Sequence, residues 1–127
     1  MIVVDTSAIM AVLLREETAG RVRVILANTG ARLISAGTMT ELLVVATGRR
    51  YLAPLRTLLD SMPMDVVPVD QSQAEAAGAG FVRWGKGQHK AALNFGDCFA
   101  YALAKSRDLP LLYVGGAFAQ TDVRSVL

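Results

Sequence analysis

Met1-Ile2-Val3-Val4-Asp5-Thr6-Ser7-Ala8-Ile9 sets an unbroken apolar run ahead of a lone acid, then a Thr-Ser step that leads into an apolar helix. Such a run reads as a strand buried on both faces, the condition of a parallel sheet, and parallel sheets present ligands just beyond the carboxyl ends of their strands. Asp5 therefore stands where an α/β domain delivers its chemistry, and the question becomes which side chains join it.

Outward from this opening, helical and extended patterns alternate. Residues 2 to 5 read as the first strand; Ala8, Ile9, Val12 and Leu13 then recur at helical spacing, and a second helix carries Val22, Ile25 and Leu26 on one face. Leu33 and Ile34 form a short strand before an apolar helix from Thr38 to Gly48, and Leu52, Leu55, Leu59 and Met62 mark an amphipathic helix over residues 51 to 62. Pro63 ends it, Val66 to Val69 make a third strand, and Gln71 to Trp84 is an Ala-rich helix. After the loop Gly85-Lys86-Gly87-Gln88, a helix runs from about Asn94 to Arg107. Leu111 to Val114 form a fourth strand and Val123 to Val126 a short fifth one. Strands separated by helices imply right-handed crossovers, so the expected fold is a three-layer α/β/α domain over residues 1 to 127 with a parallel sheet of four to five strands.

Hydrophobic residues make up 53% of the 127, which excludes a disordered chain. No apolar run approaches the ~18 residues of a membrane span, and no basic leader precedes an apolar stretch, so the expectation is a soluble, cytoplasmic protein. A single cysteine, Cys98, and a single histidine, His89, exclude a disulfide within the chain and any Cys- or His-rich metal cluster. A bound metal would have to be held by carboxylates, which favours Mg²⁺ or Mn²⁺. The net charge of +2 is mild. Its distribution is more informative: no acid lies between Glu75 and Asp97, whereas Arg83, Lys86, His89 and Lys90 all do, a basic stretch suited to gripping phosphates. Trp84, in the same stretch, reads as packing before base stacking.

Most of the eleven acids sit among polar neighbours; Asp5, Glu41 and Asp97 sit in apolar frames at or near helix starts. Helix N-termini gather where parallel strands end, so these three carboxylates can converge. Two carboxylates ~4 Å apart repel by roughly 4 kcal/mol at an effective dielectric of ~20, so a shared pocket demands raised pKa values or a cation. A divalent ion in such a pocket suits hydrolysis of a phosphodiester. The competing reading makes each acid a helix cap: Thr38 to Glu41 matches a capping box, Asn94 to Asp97 approximates one, and Asp5, Thr6 or Ser7 can each be an N-cap. One of the apolar faces at Val22 to Leu26 and Leu52 to Met62 is a candidate for a dimer seam or a seat for a partner helix, with intramolecular core the stronger explanation for at least half of those residues.

Val4-Asp5-Thr6-Ser7-Ala8, the Thr38-Met39-Thr40-Glu41 step, Trp84-Gly85-Lys86-Gly87-Gln88-His89 and above all Leu93-Asn94-Phe95-Gly96-Asp97-Cys98-Phe99-Ala100-Tyr101-Ala102-Leu103-Ala104 resemble a PIN-domain ribonuclease, with the nearest likeness to VapC toxins of bacterial type II toxin-antitoxin pairs. The likeness spans essentially the whole chain. It implies that Asp5, Glu41 and Asp97 hold Mg²⁺ or Mn²⁺ and activate the water that cuts RNA, tRNA among the candidate targets, with Thr6 and Ser7 orienting Asp5 or the water. It also implies a homodimer or a hetero-oligomer with a VapB-type antitoxin. One departure stands out: the family carries a further acid after the fourth strand, and this chain reads Gly115-Gly116-Ala117-Phe118 there. Asp122 is the nearest substitute and is carried as a fourth candidate acid. The rivals are a catalytically silent PIN domain that binds RNA or antitoxin, and a phosphotransfer domain, which the residues Thr6 and Ser7 after Asp5 disfavour.

Overall fold

Alternation along the first strand, β1 (Ile2–Val4), divides the core in two. Ile2 and Val4 pack with Ile9, Leu26, Ile34, Leu42, Leu55 and Leu112 on one side. Val3 packs with Leu33, Leu103, Leu111 and Phe118 on the other. The same period of two recurs in Leu33 against Ile34 and in Leu111 against Leu112, as a strand covered on both faces requires.

The computed structural model describes residues 1–127. After β1 come α1 (Thr6–Leu13), α2 (Ala19–Asn28), β2 (Arg32–Ser35), α3 (Ala36–Gly48), α4 (Leu52–Ser61), β3 (Asp65–Val67), α5 (Gln71–Trp84), α6 (Asp97–Arg107), β4 (Leu111–Leu112) and a 3₁₀ turn at Phe118–Gln120. All four strands are parallel in the order β3-β2-β1-β4. The chain steps outward from β1 to β2 to β3, then returns past β1 to place β4 on its other side. Right-handed crossovers in opposite directions put their helices on opposite faces. Accordingly α1 to α4 supply the first half-core and α5 and α6 the second, giving the expected three layers. The reversal of strand order lies between β1 and β4, and Asp5 follows β1 directly at this switch point.

The helix α5 runs antiparallel to α6. Gln73 Nε2 donates to Ser106 Oγ at 2.8 Å near the start of one and the end of the other, while Trp84 Nε1 donates to the Tyr101 hydroxyl at 2.9 Å. The loop that follows Trp84 therefore remains at the end of the molecule where α6 begins.

The structure corrects three sequence expectations here. The fifth strand is reduced to a single bridge between Leu111 and Ser125, because the tail meets the two-residue β4 at one register position only. The last helix starts at Asp97 and not at Asn94. The helix expected from Thr38 starts at Ala36, with the Ser35 side chain accepting from the Gly37 amide at 3.2 Å, so Thr38 is no cap and no capping box joins it to Glu41. The apolar faces of α2 and α4 go mostly into the core, as expected for at least half of their residues: Val22, Leu26 and Leu55 are fully buried, while Val24 and Leu52 on the same helices are exposed. The large apolar side chains left in solvent include Val44, Val82 and Phe95. No helix is long and apolar enough to cross a membrane.

Candidate active site

Asp5 is both the cap and the candidate ligand that its position suggested. Its Oδ2 accepts from the Ser7 amide at 3.0 Å and from the Ser7 hydroxyl at 2.6 Å, capping α1. Ser7 Oγ in turn accepts from the Val114 amide at 3.0 Å, which ties the end of β1 to the segment after β4. Oδ1 has no partner, although the residue is only 2% exposed. An unpartnered buried carboxylate oxygen is costly and demands an explanation.

Glu41 lies in the second turn of α3 and reaches the pocket by leaning on two neighbours. Its Oε1 accepts a 2.6 Å hydrogen bond from Thr6 Oγ1. Its carboxylate also rests against the Cα of Gly96, where any side chain would collide with it. Thr6, expected to orient Asp5 or a metal-bound water, bonds Glu41, and Ser7 alone serves Asp5. Asp97 opens α6 through a reciprocal pair: the Asn94 amide donates to Asp97 Oδ2 at 3.0 Å and the Asp97 amide to Asn94 Oδ1 at 2.8 Å. The capping arrangement expected at Asn94 to Asp97 is thus present, and it leaves Asp97 Oδ1 uncommitted.

The three acids share a field. Burial pushes Asp5 up from the ordinary 3.8 to about 6 against the pull of its Ser7 hydrogen bonds, and the charges of Asp97 and Glu41 push the same way. Burial raises Asp97 as well, with Glu41 adding to it. The three charges act on one another's ionisation, but no group of three His, Cys, Asp or Glu side chains is gathered closely enough to hold a metal ion by itself. Three hard oxygen donors in mutual repulsion, one of them orphaned and buried, fit a hard divalent cation that retains several waters. Asp5, Glu41 and Asp97 are the residues that would hold it. Cys98, beside Asp97, is buried and its thiol is pushed up to about 11 by desolvation, so it is an unreactive packing group.

Asp122 lies elsewhere. Its Oδ1 accepts from the Tyr101 hydroxyl at 2.7 Å, and its Oδ2 pairs with Lys105 at 3.3 Å and Arg83 at 3.5 Å. Partial burial opposes its ionisation, yet Tyr101, Lys105 and Arg83 together hold it below the usual range. The sequence expectation of a fourth acid in the pocket is therefore corrected: Asp122 is the counter-ion of two cations. The same contact commits Arg83, whose guanidinium also lies 4.5 Å from the centre of the Trp84 ring. Trp84 packs edge-on to His89 and bonds Tyr101, so the packing reading holds for it.

The loop beyond Trp84 closes on itself, with Lys86 N donating to Leu93 O at 2.9 Å and Leu93 N to Trp84 O at 3.0 Å. His89 Nδ1 accepts from the Ala91 amide at 3.0 Å, which turns that face of the ring into the loop. Lys86 and Lys90 remain exposed and without an ion-pair partner. Sequence reasoning missed Gly96 as the seat of Glu41 and Tyr101 as the hub between Trp84 and Asp122. Gly96 lies inside the Asn94 to Ala104 motif, but nothing local reveals a contact with a residue so far upstream.

A family model described as PIN domain matches residues 2–124. The chain belongs to the PIN-domain family. Within this family it is 41% identical to a protein named Ribonuclease VapC from Mycolicibacterium smegmatis, over 98% of each chain. That degree of likeness places it among the VapC proteins. Its fold is similar to the crystal structure of Mycobacterium tuberculosis VapC20, described as a sarcin-ricin loop cleaving toxin, with a TM-score of 0.77 at 20% identity over 99% of this chain and 98% of that one. It is also similar to a chain of a toxin-antitoxin complex from Klebsiella pneumoniae, with a TM-score of 0.71 at 20% identity over 96% of this chain and 93% of that one.

Proposed function

We propose that this PIN domain is a metal-dependent endoribonuclease toxin of a toxin-antitoxin pair. The observation that carries the reading is Asp5 Oδ1, buried, unpartnered and in the field of Glu41 and Asp97. The name Ribonuclease VapC of a relative supports RNA as the substrate, and fold neighbours solved as VapBC complexes support a VapB-type antitoxin as the partner. A divalent cation bound there, Mg²⁺ or Mn²⁺, supplies activation of the attacking water and neutralises charge that builds on the phosphodiester. The protein's share is preorganisation. Ser7 fixes Asp5, Thr6 and Gly96 fix Glu41, and Asn94 fixes Asp97, so that each carboxylate presents one free oxygen. Lys86 and Lys90, at the end of the molecule where α6 begins, bind backbone phosphates of the RNA, a contact that positions the strand without reading its bases. His89 contributes to the shape of this loop.

The test is expression with and without the neighbouring small open reading frame, with RNA ends mapped, and cleavage of RNA, tRNA first, by the purified protein. Growth arrest relieved by the neighbour, together with Mg²⁺-dependent cuts that vanish in Asp97→Asn, is the expected result. A second reading, RNA or antitoxin binding without cleavage, is favoured by one observation: Gly115-Gly116-Ala117 carries no acid and Asp122 is engaged elsewhere. Cleavage lost in Asp97→Asn eliminates it.

A further inference from the structure

A large aromatic ring stands in solvent beside the acids. Phe95 is 78% exposed, although it directly precedes Gly96, the seat of Glu41, and lies two residues before Asp97. The reciprocal bonds between Asn94 and Asp97 close the turn that carries it, so its backbone is held in place. Its ring meets Phe99 edge to face, with centres 5.1 Å apart. Nothing in the turn itself calls for an aromatic residue, because both closing bonds belong to Asn94 and Asp97. A cavity of about 570 Å³ opens against the ring, lined by Val44, Val69 and Phe99 and also by Thr40 and Glu41. The adjoining loop adds cations: Lys86 N donates to Leu93 O at 2.9 Å, two residues before Phe95, and Lys86 and Lys90 are both exposed.

We propose that Phe95 is a stacking platform for one unpaired base of the RNA, and that the cavity beside it receives that base next to the bond to be cut. The inference rests on the ribonuclease reading above. An exposed aromatic ring offers a face to any base, whereas paired bases inside a helix hide their faces in the stack, so the platform takes a single-stranded or looped segment. An aromatic ring flanked by cations is the composition of a surface that tracks single strands. The lining suits a base, apolar on its faces and polar at its edges. A wholly apolar protein side chain in the same place would strip water from the Thr40 hydroxyl and the Glu41 carboxylate without replacing its hydrogen bonds. The stack also supplies what Lys86 and Lys90 lack: phosphate contacts let a strand slide, and a base seated on Phe95 fixes which phosphodiester faces the acids.

The test is fluorescence anisotropy of a labelled single-stranded RNA, and of the duplex of the same sequence, with Asp97→Asn protein, which leaves the RNA intact. Adding Phe95→Ala is expected to weaken single-strand binding by about 5- to 150-fold, with the salt slope unchanged because no phosphate contact is lost. Phe95→Trp is expected to keep the affinity, and the weak duplex binding to be the same in all three proteins. Single-stranded RNA carrying 5-iodouridine, irradiated on the protein, is expected to cross-link at Phe95. Equal single-strand affinity with and without the ring, or a cross-link confined to other residues, overturns the inference. So does a Phe95→Ala protein that turns from dimer to monomer on gel filtration, which makes this face a seam between copies. Wild type that neither binds nor cuts RNA overturns both this inference and the ribonuclease reading. Binding that depends on Phe95 without any cleavage by wild type supports the inference and sinks the nuclease reading alone.

Discussion

Thr6 Oγ1 donates to Glu41 Oε1 at 2.6 Å across 35 positions of sequence, joining the first residue of α1 to the second turn of α3. The bond lets a helix that starts earlier than expected still deliver its acid to the pocket, and it makes Thr6 a positioning residue. Thr6→Val keeps the shape and removes the donor. RNA cleavage by this variant is expected to fall by about 10- to 100-fold, the usual cost of losing an outer partner of a metal-binding side chain. Thr6→Ser, which restores the hydroxyl, is expected to recover most of it. Equal activity in wild type and Thr6→Val contradicts the assignment.

Gly96 tests the same carboxylate from its other side. Its φ of −64° and ψ of −38° are ordinary for any residue, so the requirement for glycine is spatial: an added Cβ falls on the Glu41 carboxylate. That group is the mobile end of a long side chain and can move aside. In Gly96→Ala the loss of glycine from the unfolded chain stabilises by about 0.4–1 kcal/mol, offsetting small local strain. Thermal stability is therefore expected to be unchanged or slightly higher while Mn²⁺ affinity and cleavage drop at least about tenfold. Joint loss of stability and activity counts against this account.

How far the sequence was legible follows the range of the forces involved. The strands and layers could be read because apolar periodicity reports burial locally: Ile2-Val3-Val4, Leu33-Ile34 and Leu111-Leu112 each carry their own signal, whereas the order of the strands in the sheet came only from the structure. Asp5 and Asp97 were visible because a cap and an apolar frame lie within a few residues of each. Glu41 was visible as an acid in an apolar helix, but its geometry depends on Thr6 and Gly96, which periodicity does not connect to it. Asp122 misled because its role is set by Tyr101, Lys105 and Arg83, all from other elements.

The burial of Asp5 has a measurable consequence for stability. Its pKa rises from 3.8 to about 6 on folding, so the folded chain holds this proton more tightly than the unfolded one. The stabilisation from the protonated group is complete below about pH 4 and is lost as pH rises through about 6. At neutral pH the ion-free protein carries a penalty of about 3 kcal/mol. Asn caps a helix as well as Asp does, so Asp5→Asn is expected to melt at higher temperature than wild type at pH 7 in the presence of a chelator, with the gap closing toward pH 4. Mn²⁺ added at pH 7 should raise the wild-type melting temperature and leave Asp5→Asn nearly unmoved. A pH-independent gap between the two proteins is incompatible with a buried, proton-retaining Asp5.

Asp122 makes the converse prediction about RNA. Its carboxylate neutralises Arg83 and Lys105, which are otherwise well exposed and adjoin the loop that carries Lys86 and Lys90. Asp122→Asn keeps an acceptor for Tyr101 but removes the charge, freeing both cations for phosphate. Each new phosphate contact releases counterions and steepens the dependence of log K on log salt by about 0.7 for single-stranded RNA. Measured by fluorescence anisotropy in an Asp97→Asn background, where the RNA stays intact, Asp122→Asn is expected to bind RNA more tightly at low salt and with a steeper salt slope. The difference should fade at high salt, where the released charge is screened. Identical slopes with and without the Asp122 charge mean that Arg83 and Lys105 lie outside the path of the RNA, and that the clasp with Tyr101 serves only to hold α5, α6 and the C-terminal tail together.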